Sequence, residues 1–474
     1  MFFVGQVKKR KLFEQGTLLI LVLMFGAIFF TIMSGYIGYI ITQSQIVTQR
    51  YVLNQAAEIA EAGLNYYKWY LHHNTVDIDA ALPSSGSETH VYTHPEDGDI
   101  GEFVLTVAST TYCGAISSIE VISTGHSYID PALTRTISAR FIRPTVASYS
   151  YILDANVWAG PDRQIYGPYH SNGGIRMDGT NHSVVSSGLE TWDCEDQCSP
   201  DIDDADGVFT TTANADPSLF VFPTTPVSFG TFVNDLDDIE TAAEDNGGYH
   251  KDASSYYGYL VQFIGNHQIR VTEVEDTYNY RDGHNNWERH IIDELGSSEV
   301  WTINPDCPVV FIDDKVWLEA EAGEDLDDLI SIVSSETIIL QGDIEYEDPS
   351  EDGLLAIADD DVLVGVDVPD DMTLNGIFIA QQGHFGRNYY TYGNLPNPSG
   401  PLDFRSYYKR DSLTMNGTVV SKGSVGTKWT SGGTYVSGFE NRYNTYDRNL
   451  VDNPPPLVPN TSSNYVLSDW REQD

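Results

Sequence analysis

Basic residues are scarce in this chain: 25 Lys and Arg stand against 69 Asp and Glu among 474 residues, a formal net charge of −44. A surface of that sign repels phosphate, which excludes nucleic-acid binding through a general basic face. Cysteine is sparse too, with four residues, Cys113, Cys194, Cys198 and Cys307. There is no CxxC and no Cys/His cluster, so a zinc knuckle lacks its ligand spacing. An even, low count suits one or two disulfides in an oxidising compartment, with free thiols as the other reading. Two bridges are open, a small Cys194–Cys198 staple and a Cys198–Cys307 link. Proline is missing from residues 1–82, and charge is missing from Thr17 to Ile41. The acidity does not imply disorder, because 41% of the residues are hydrophobic and 12% aromatic, including 29 Tyr. That is apolar mass enough for two or three domains with cores.

The uncharged run is 25 residues long, sufficient to cross a bilayer of about 30 Å. Lys8, Lys9, Arg10 and Lys11 precede it, which places the first residues in the cytoplasm and the bulk of the chain outside. A cleaved secretory signal has a shorter apolar core and a small-x-small site. Here the helical pattern continues beyond the membrane. Leu53, Ala57, Ala60, Leu64, Tyr67 and Leu71 recur in steps of four and three, one apolar stripe. With no Pro to interrupt it, a single helix is expected from about Thr17 to Leu71, roughly 80 Å long. The outer half of that helix needs a surface to cover its stripe.

The order of basic leader, Gly16, long apolar helix and "AAEIAEAGLNYYKWYL" (Ala56 to Leu71) resembles the type IV pilin-like proteins, and among them the PilX-like minor pilins with their AeAG helix. The resemblance implies that a prepilin peptidase cuts between Gly16 and Thr17 and frees the helix to enter a filament. It implies a membrane and assembly role for the helix bearing Leu21, Ala57, Glu58, Ala60, Glu61, Ala62 and Gly63. Other pilins and the pilus assembly machinery would be the partners. The chain departs from the family at Leu21, the fifth mature position, where pilins carry a Glu that pairs with the amino terminus of the next subunit. That departure is compatible with a place at a filament tip, where one inter-subunit contact is not needed.

After the helix, Phe103–Val107, Ile119–Ser123 and Thr134–Phe141 alternate apolar and polar residues, which predicts an antiparallel sheet with one covered face. From about Ser148 the texture changes to short β-branched runs between Gly, Asn and Asp turns. "TLNGIFIAQQG" (Thr373 to Gly383) and "TMNGTVVSKG" (Thr414 to Gly423) repeat, with "IRMDGTNHSVVSSG" (Ile175 to Gly188) as a fainter third copy. Strand-like runs recur between them at Val309–Ile312, Val316–Glu319, Leu329–Val333, Thr337–Gln341, Leu354–Ala358 and Val362–Val366. This is the signature of stacked rungs, a right-handed parallel β-helix first and a β-sandwich second. A short helix is expected in Asn234–Tyr249, and a hairpin in Tyr256–Val274 turning at Gly265-Asn266. The Pro-rich end is expected to lie along the solenoid with Trp470 docked. The expected class is therefore α+β, mostly β. Its divisions are a leader at 1–16, a transmembrane pilin-like helix at 17–75 and a small antiparallel sheet at 76–147. First rungs with an inserted helix and hairpin follow at 148–300, then solenoid and tail at 301–474.

Candidate chemistry is thin. A β-helix polysaccharide hydrolase would need paired carboxylates, and Asp359, Asp360 and Asp361 with His384 and Arg387 are the candidates. Asp runs in strand-turn texture are first of all solvated turns. His170 beside Ser171 offers no oxyanion hole by adjacency alone. Asp201, Asp203, Asp204 and Asp206 before Gly207 are calcium candidates, but Gly207 puts Ile202 at the first ligand position and the EF-hand register fails. The Glu324–Asp328 run reads the same way. Tyr residues of Asn388–Gly393 are candidates for binding a surface ligand or glycan. The expectation is a non-enzymatic, exported minor pilin-like component, held in the cell membrane by one helix or placed in an extracellular pilus. It would prime assembly, mediate adhesion, or both. The alternatives are a single-span surface protein outside any filament and, further off, a polysaccharide hydrolase.

Overall fold

Residues 12–73, 86–229, 236–398 and 403–473 are described by a computed structural model. The basic cluster Lys8–Lys11 lies outside them, as do the side chains of residues 12–17. Helix α1 runs unbroken from Leu12 to His73. At 1.5 Å per residue that is about 93 Å. Four strands follow, β1 (Ser87–His94), β2 (Gly98–Tyr112), β3 (Ala115–Ser127) and β4 (Thr134–Ile142), each antiparallel to the next. The covered face of this sheet, with Phe103, Leu105, Ile119, Val121, Ile137, Ala139 and Phe141, packs on α1.

The chain's end corrects one expectation. The segment Val466–Gln473 does not lie along the solenoid but pairs antiparallel with β4 as a fifth strand of the small sheet. Trp470 is 47% exposed. The residue that docks is Tyr465, buried in the helix-sheet core beside Tyr67 and capped by the Arg143 guanidinium 5.0 Å from its ring. Trp470 sits next to a register shift on an edge strand, where its side chain faces outward.

The remaining strands build a parallel β-helix. Across its main sheet the order is Phe220–Val221, Val185–Ser187, Tyr169–Ser171, Tyr151–Leu153, Lys409–Ser421, Asp371–Ala380, Gly353–Ala358, Leu329–Ser334, Val309–Ile312 and Tyr249–Lys251. Every neighbouring pair in that order is parallel. The chain enters in the middle at Tyr151 and climbs to one end at Val221. It then crosses to the opposite end at Tyr249 and returns to meet its own start. A second sheet stacks Tyr259–Phe263, Val316–Ala320, Ile338–Leu340, Val362–Val364 and Phe385–Gly386. The rung interior is filled by alternate residues such as Leu354, Ala356 and Ala358. The intervening Leu355 and Ile357 point outward and are buried as well. They are covered by α2 (Leu236–Asn246), by Val146 and Ala147, and by the tail through Leu450 and Val458. Burial on both faces explains why these strands read as unbroken apolar runs.

The TLNG and TMNG repeats stack directly, Thr373 on Thr414 through Gly376 on Gly417, and Asn416 Nδ2 donates to Asn375 Oδ1 at 2.7 Å. The fainter third copy is split: Ile175–Met177 lies in a separate three-stranded sheet with Val157–Ala159 and Val208–Phe209, while Val185–Ser187 belongs to the main sheet without stacking on the other two. The expected hairpin turns where it should, but its second strand, Gln268–Arg281, continues into a longer ribbon with Trp287–Thr302. Cys194 bonds Cys198, and Cys307 bonds Cys113 rather than Cys198. The second bridge ties the β2–β3 turn to the start of Val309–Ile312, the strand next to the end of the main sheet, beside a hydrogen bond from Cys113 N to Asp306 O of 2.9 Å.

Candidate functional site

Helix α1 divides into two surfaces with different fates. From Leu18 to Tyr51 the side chains are exposed apart from a half-buried Gly26, and those up to Ile41 are almost all apolar. It is the one helix among the described residues that is long and apolar enough to cross a membrane. Three of its threonine hydroxyls are satisfied within the helix. Thr31, Thr42 and Thr48 each donate to the carbonyl four residues back, at 2.8, 3.0 and 3.0 Å. That removes the cost of bare polar groups in an apolar medium. Leu21 is 52% exposed on this surface.

The second surface is the AEAG stretch. The fully buried row is Val52, Ala56, Ile59, Ala60, Gly63, Leu64, Tyr67 and Leu71. Leu53 and Ala57 are only half-buried, so the stripe's centre sits about one residue to the side of the one expected. The small residues set the distance between helix and sheet. A Cβ on Gly63 would stand 2.3 Å from Ser123 Oγ and 2.9 Å from the Phe103 ring. From the sheet side, a Cβ on Gly125 would stand 2.2 Å from Ala56 O and 2.5 Å from Ala60 N. Backbone thus meets backbone across Ala56, Ala60 and Gly125, an approach only small residues allow. Glu58 and Glu61 face solvent, and Ala62 lies at the margin. Each large side chain buried in this seam contributes about 1.5–3 kcal/mol. At the helix end, His72 and His73 turn Nδ1 to the carbonyls of Lys68 and Trp69, at 2.7 and 2.8 Å, where a cationic ring suits the dipole.

The other candidates separate. Asp201, Asp203, Asp204 and Asp206 are all exposed on or beside a hairpin strand and do not converge on one point. Asp204 N instead donates to Asp193 Oδ1 at 3.1 Å. Asp361 pairs with His384 at 2.8 Å. Burial raises the Asp361 carboxyl, but the His384 contacts outweigh it and leave the pKa below the ordinary value, while the hydrogen bond to Asp361 raises His384. Arg387 is 1% exposed and donates to the Val366 and Tyr407 carbonyls at 2.9 and 2.7 Å, the geometry of a packing residue. His170 and Ser171 are buried in adjacent strand positions, the ring nitrogens on Ser186 and Asn172 and the hydroxyl on the Ala155 carbonyl. In the Asn388–Gly393 segment Tyr392 is exposed, but Tyr390 is fully buried and donates to Glu288 at 2.9 Å.

Several polar centres had no sequence signal. Buried Glu288 gathers Tyr390, Asn388 and His290, joining the long ribbon to the segment that follows Phe385–Gly386. Asp178, 1% exposed, accepts from Thr211 N, Thr211 Oγ1, Trp158 Nε1 and Arg176 Nε at 2.7–2.9 Å. Among the described residues two groups have His and carboxylate atoms close enough to hold a metal ion: Glu240, Glu244 and His250, and His267 with Asp327 and Asp328. The pattern that could have flagged the first is Glu-x3-Glu on a helix with a His just beyond its stop.

No family model matches the chain, and no curated protein does. Among solved structures, the crystal structure of the competence-associated pilin ComZ from Thermus thermophilus aligns over 89% of this chain and 98% of its own, at 10% identity and a TM-score of 0.30. A likeness of that size bears on neither architecture nor role.

Proposed function

We propose that this chain is a minor pilin-like protein, inserted in a membrane by α1 and projecting its β-helix outward as a non-enzymatic component of a type IV pilus or related filament. The observation that carries the reading is the division of α1. One continuous helix leaves an apolar surface of bilayer length unpartnered and commits the rest to a small antiparallel sheet through Ala56, Ala60 and Gly63. A membrane or neighbouring apolar helices satisfy the first surface. Leu21 at the fifth mature position favours the tip over the shaft, with assembly priming and adhesion as the work. The solenoid's exposed aromatics, Trp287 and Tyr392 among them, are the surface for a ligand or glycan. Two disulfides agree with an oxidising, extracytoplasmic setting.

The test is the mature amino terminus, read by mass spectrometry on protein from native membranes or sheared filaments. A chain that starts at Thr17 with a modified amine supports filament entry. A chain that starts at Met1 leaves a permanent single-span anchor and overturns the pilin reading.

A further inference from the structure

Glu240 and Glu244 are one turn apart on α2 and share a face of that helix. Ile239 and Ala243, on the adjoining face, are buried against the solenoid, which holds the two carboxylates at its margin. His250 arrives on the end-rung strand Tyr249–Lys251, in register with Phe311, and its ring packs 5.9 Å from the Phe311 ring. Its side chain is 17% exposed. Nε2 lies 3.1 Å from Glu240 Oε1 and Nδ1 lies 3.0 Å from Glu244 Oε1.

A neutral imidazole has one N–H and one lone pair. In that form it donates to one carboxylate and turns a lone pair towards the other, and one ring nitrogen with one oxygen from each Glu lie within 4.8 Å of one another. Nε2 shows that conflict: it is buried and close to Glu240, yet not aligned for a hydrogen bond. A ring lone pair and carboxylate oxygens that share one small space are the donors of a cation. We propose that Glu240, Glu244 and His250 form a site for a divalent transition-metal ion of the Zn²⁺ class. The imidazole argues for that class, because Ca²⁺ and Mg²⁺ prefer sites built of oxygen alone. Three protein ligands leave a coordination position for water.

The ion would clip α2 to the last rung. That helix belongs to the connection that carries the chain from one end of the solenoid to the other. It already touches the Cys113–Cys307 bridge, with Cys307 Sγ 3.8 Å from Ala242 O. Metal and disulfide would hold the same corner, where solenoid and small sheet meet.

The test is titration of the metal-stripped full chain in detergent with Zn²⁺, followed by calorimetry, and with Co²⁺, followed by its visible absorption. The expected result is one saturable site whose affinity falls roughly tenfold or more in both His250→Gln and Glu244→Gln. His267→Gln, in the other candidate group, should leave it unchanged. Glu244 is exposed, so Glu244→Gln reads the site even if His250→Gln fails to fold. The proposal is overturned if no saturable Zn²⁺ binding occurs, if binding survives both substitutions, if only His267→Gln removes it, or if equimolar Ca²⁺ displaces the ion.

Discussion

Replacing Cys113 and Cys307 with alanine cuts a bridge between residues 194 positions apart, whereas the same change at Cys194 and Cys198 opens a loop of four. In the chain-entropy treatment a cross-link stabilises by restricting the unfolded chain, and the effect grows with the logarithm of loop length. The long bridge is then worth about 5 kcal/mol and the short one about 2 kcal/mol. Both cysteines of the long bridge are buried among Val309, Phe311, Ile239 and Ala243, so alanine adds a small cavity but no bare polar group. For a β region of roughly 390 residues, an unfolding entropy of about 2.1 cal/mol/K per residue converts 5 kcal/mol into a drop of about 6 °C, and 2 kcal/mol into about 2 °C. The assay is thermal melting of the full chain in detergent under non-reducing conditions, wild type against the two double variants. The bridge also joins two modules, so limited proteolysis should free the small sheet from the solenoid more readily in the Cys113/Cys307 variant. Equal melting shifts in the two double variants, within about 1 °C, would refute the loop-length reasoning. A proteolysis pattern unchanged from wild type would refute the staple.

Gly125→Val should lift α1 from its sheet, because its Cβ meets the Ala56 carbonyl and the Ala60 amide, which are backbone atoms and cannot rotate away. We expect a loss of about 3 kcal/mol or more, read as faster amide exchange over residues 52–71 than in Gly393→Val, whose position is open and needs no positive φ. Asp178→Ala removes the acceptor shared by Arg176 Nε, Thr211 and Trp158, and should cost about 1–3 kcal/mol by urea denaturation, with Asp178→Asn costing less. Leu354→Ala empties part of the rung interior and should cost about 2–5 kcal/mol in the same assay. The Asp361–His384 pair should stabilise over a bounded pH window. The Asp361 pKa is lowered in the fold, so its contribution is present above the ordinary carboxylate value and is lost as pH falls through the lowered one. The His384 pKa is raised, so its contribution is present below the ordinary imidazole value and is lost as pH rises through the raised one. Melting temperature against pH for His384→Gln should lose the alkaline slope, and an unchanged slope would assign it elsewhere.

Local patterns carried much of the architecture. The uncharged run and the four-three spacing of Ala60, Leu64, Tyr67 and Leu71 specify α1, because helix period and apolarity need no distant partner. Alternation and β-branched runs place the strands from Val309 to Val364 to within a residue or two, since each rung reads the same short-range rule. Thr-x-Asn-Gly, repeated, marks two rungs that stack in register because identical turns match identical turns.

The order of those rungs was decided elsewhere. Val419 pairs with Tyr151, and nothing in either segment distinguishes that partner from another apolar strand, because parallel pairing is made of backbone groups common to all residues. The same holds for Val466–Gln473 adding to β4 and for Cys307 choosing Cys113 over Cys198, which follow from where the modules meet. His250 between Glu240 and Glu244 belongs to this class as well, as it needs a helix from the crossing connection laid against an end rung. The sequence by itself determined which segments are helix, strand and membrane-length apolar surface, since those depend on neighbours a few residues away. Only the tertiary structure decided which strands are adjacent and which distant cysteine Cys307 takes, because those depend on closing long loops around one core, and it decided how His250 meets Glu240 and Glu244, because that depends on how α2 is laid against the end rung.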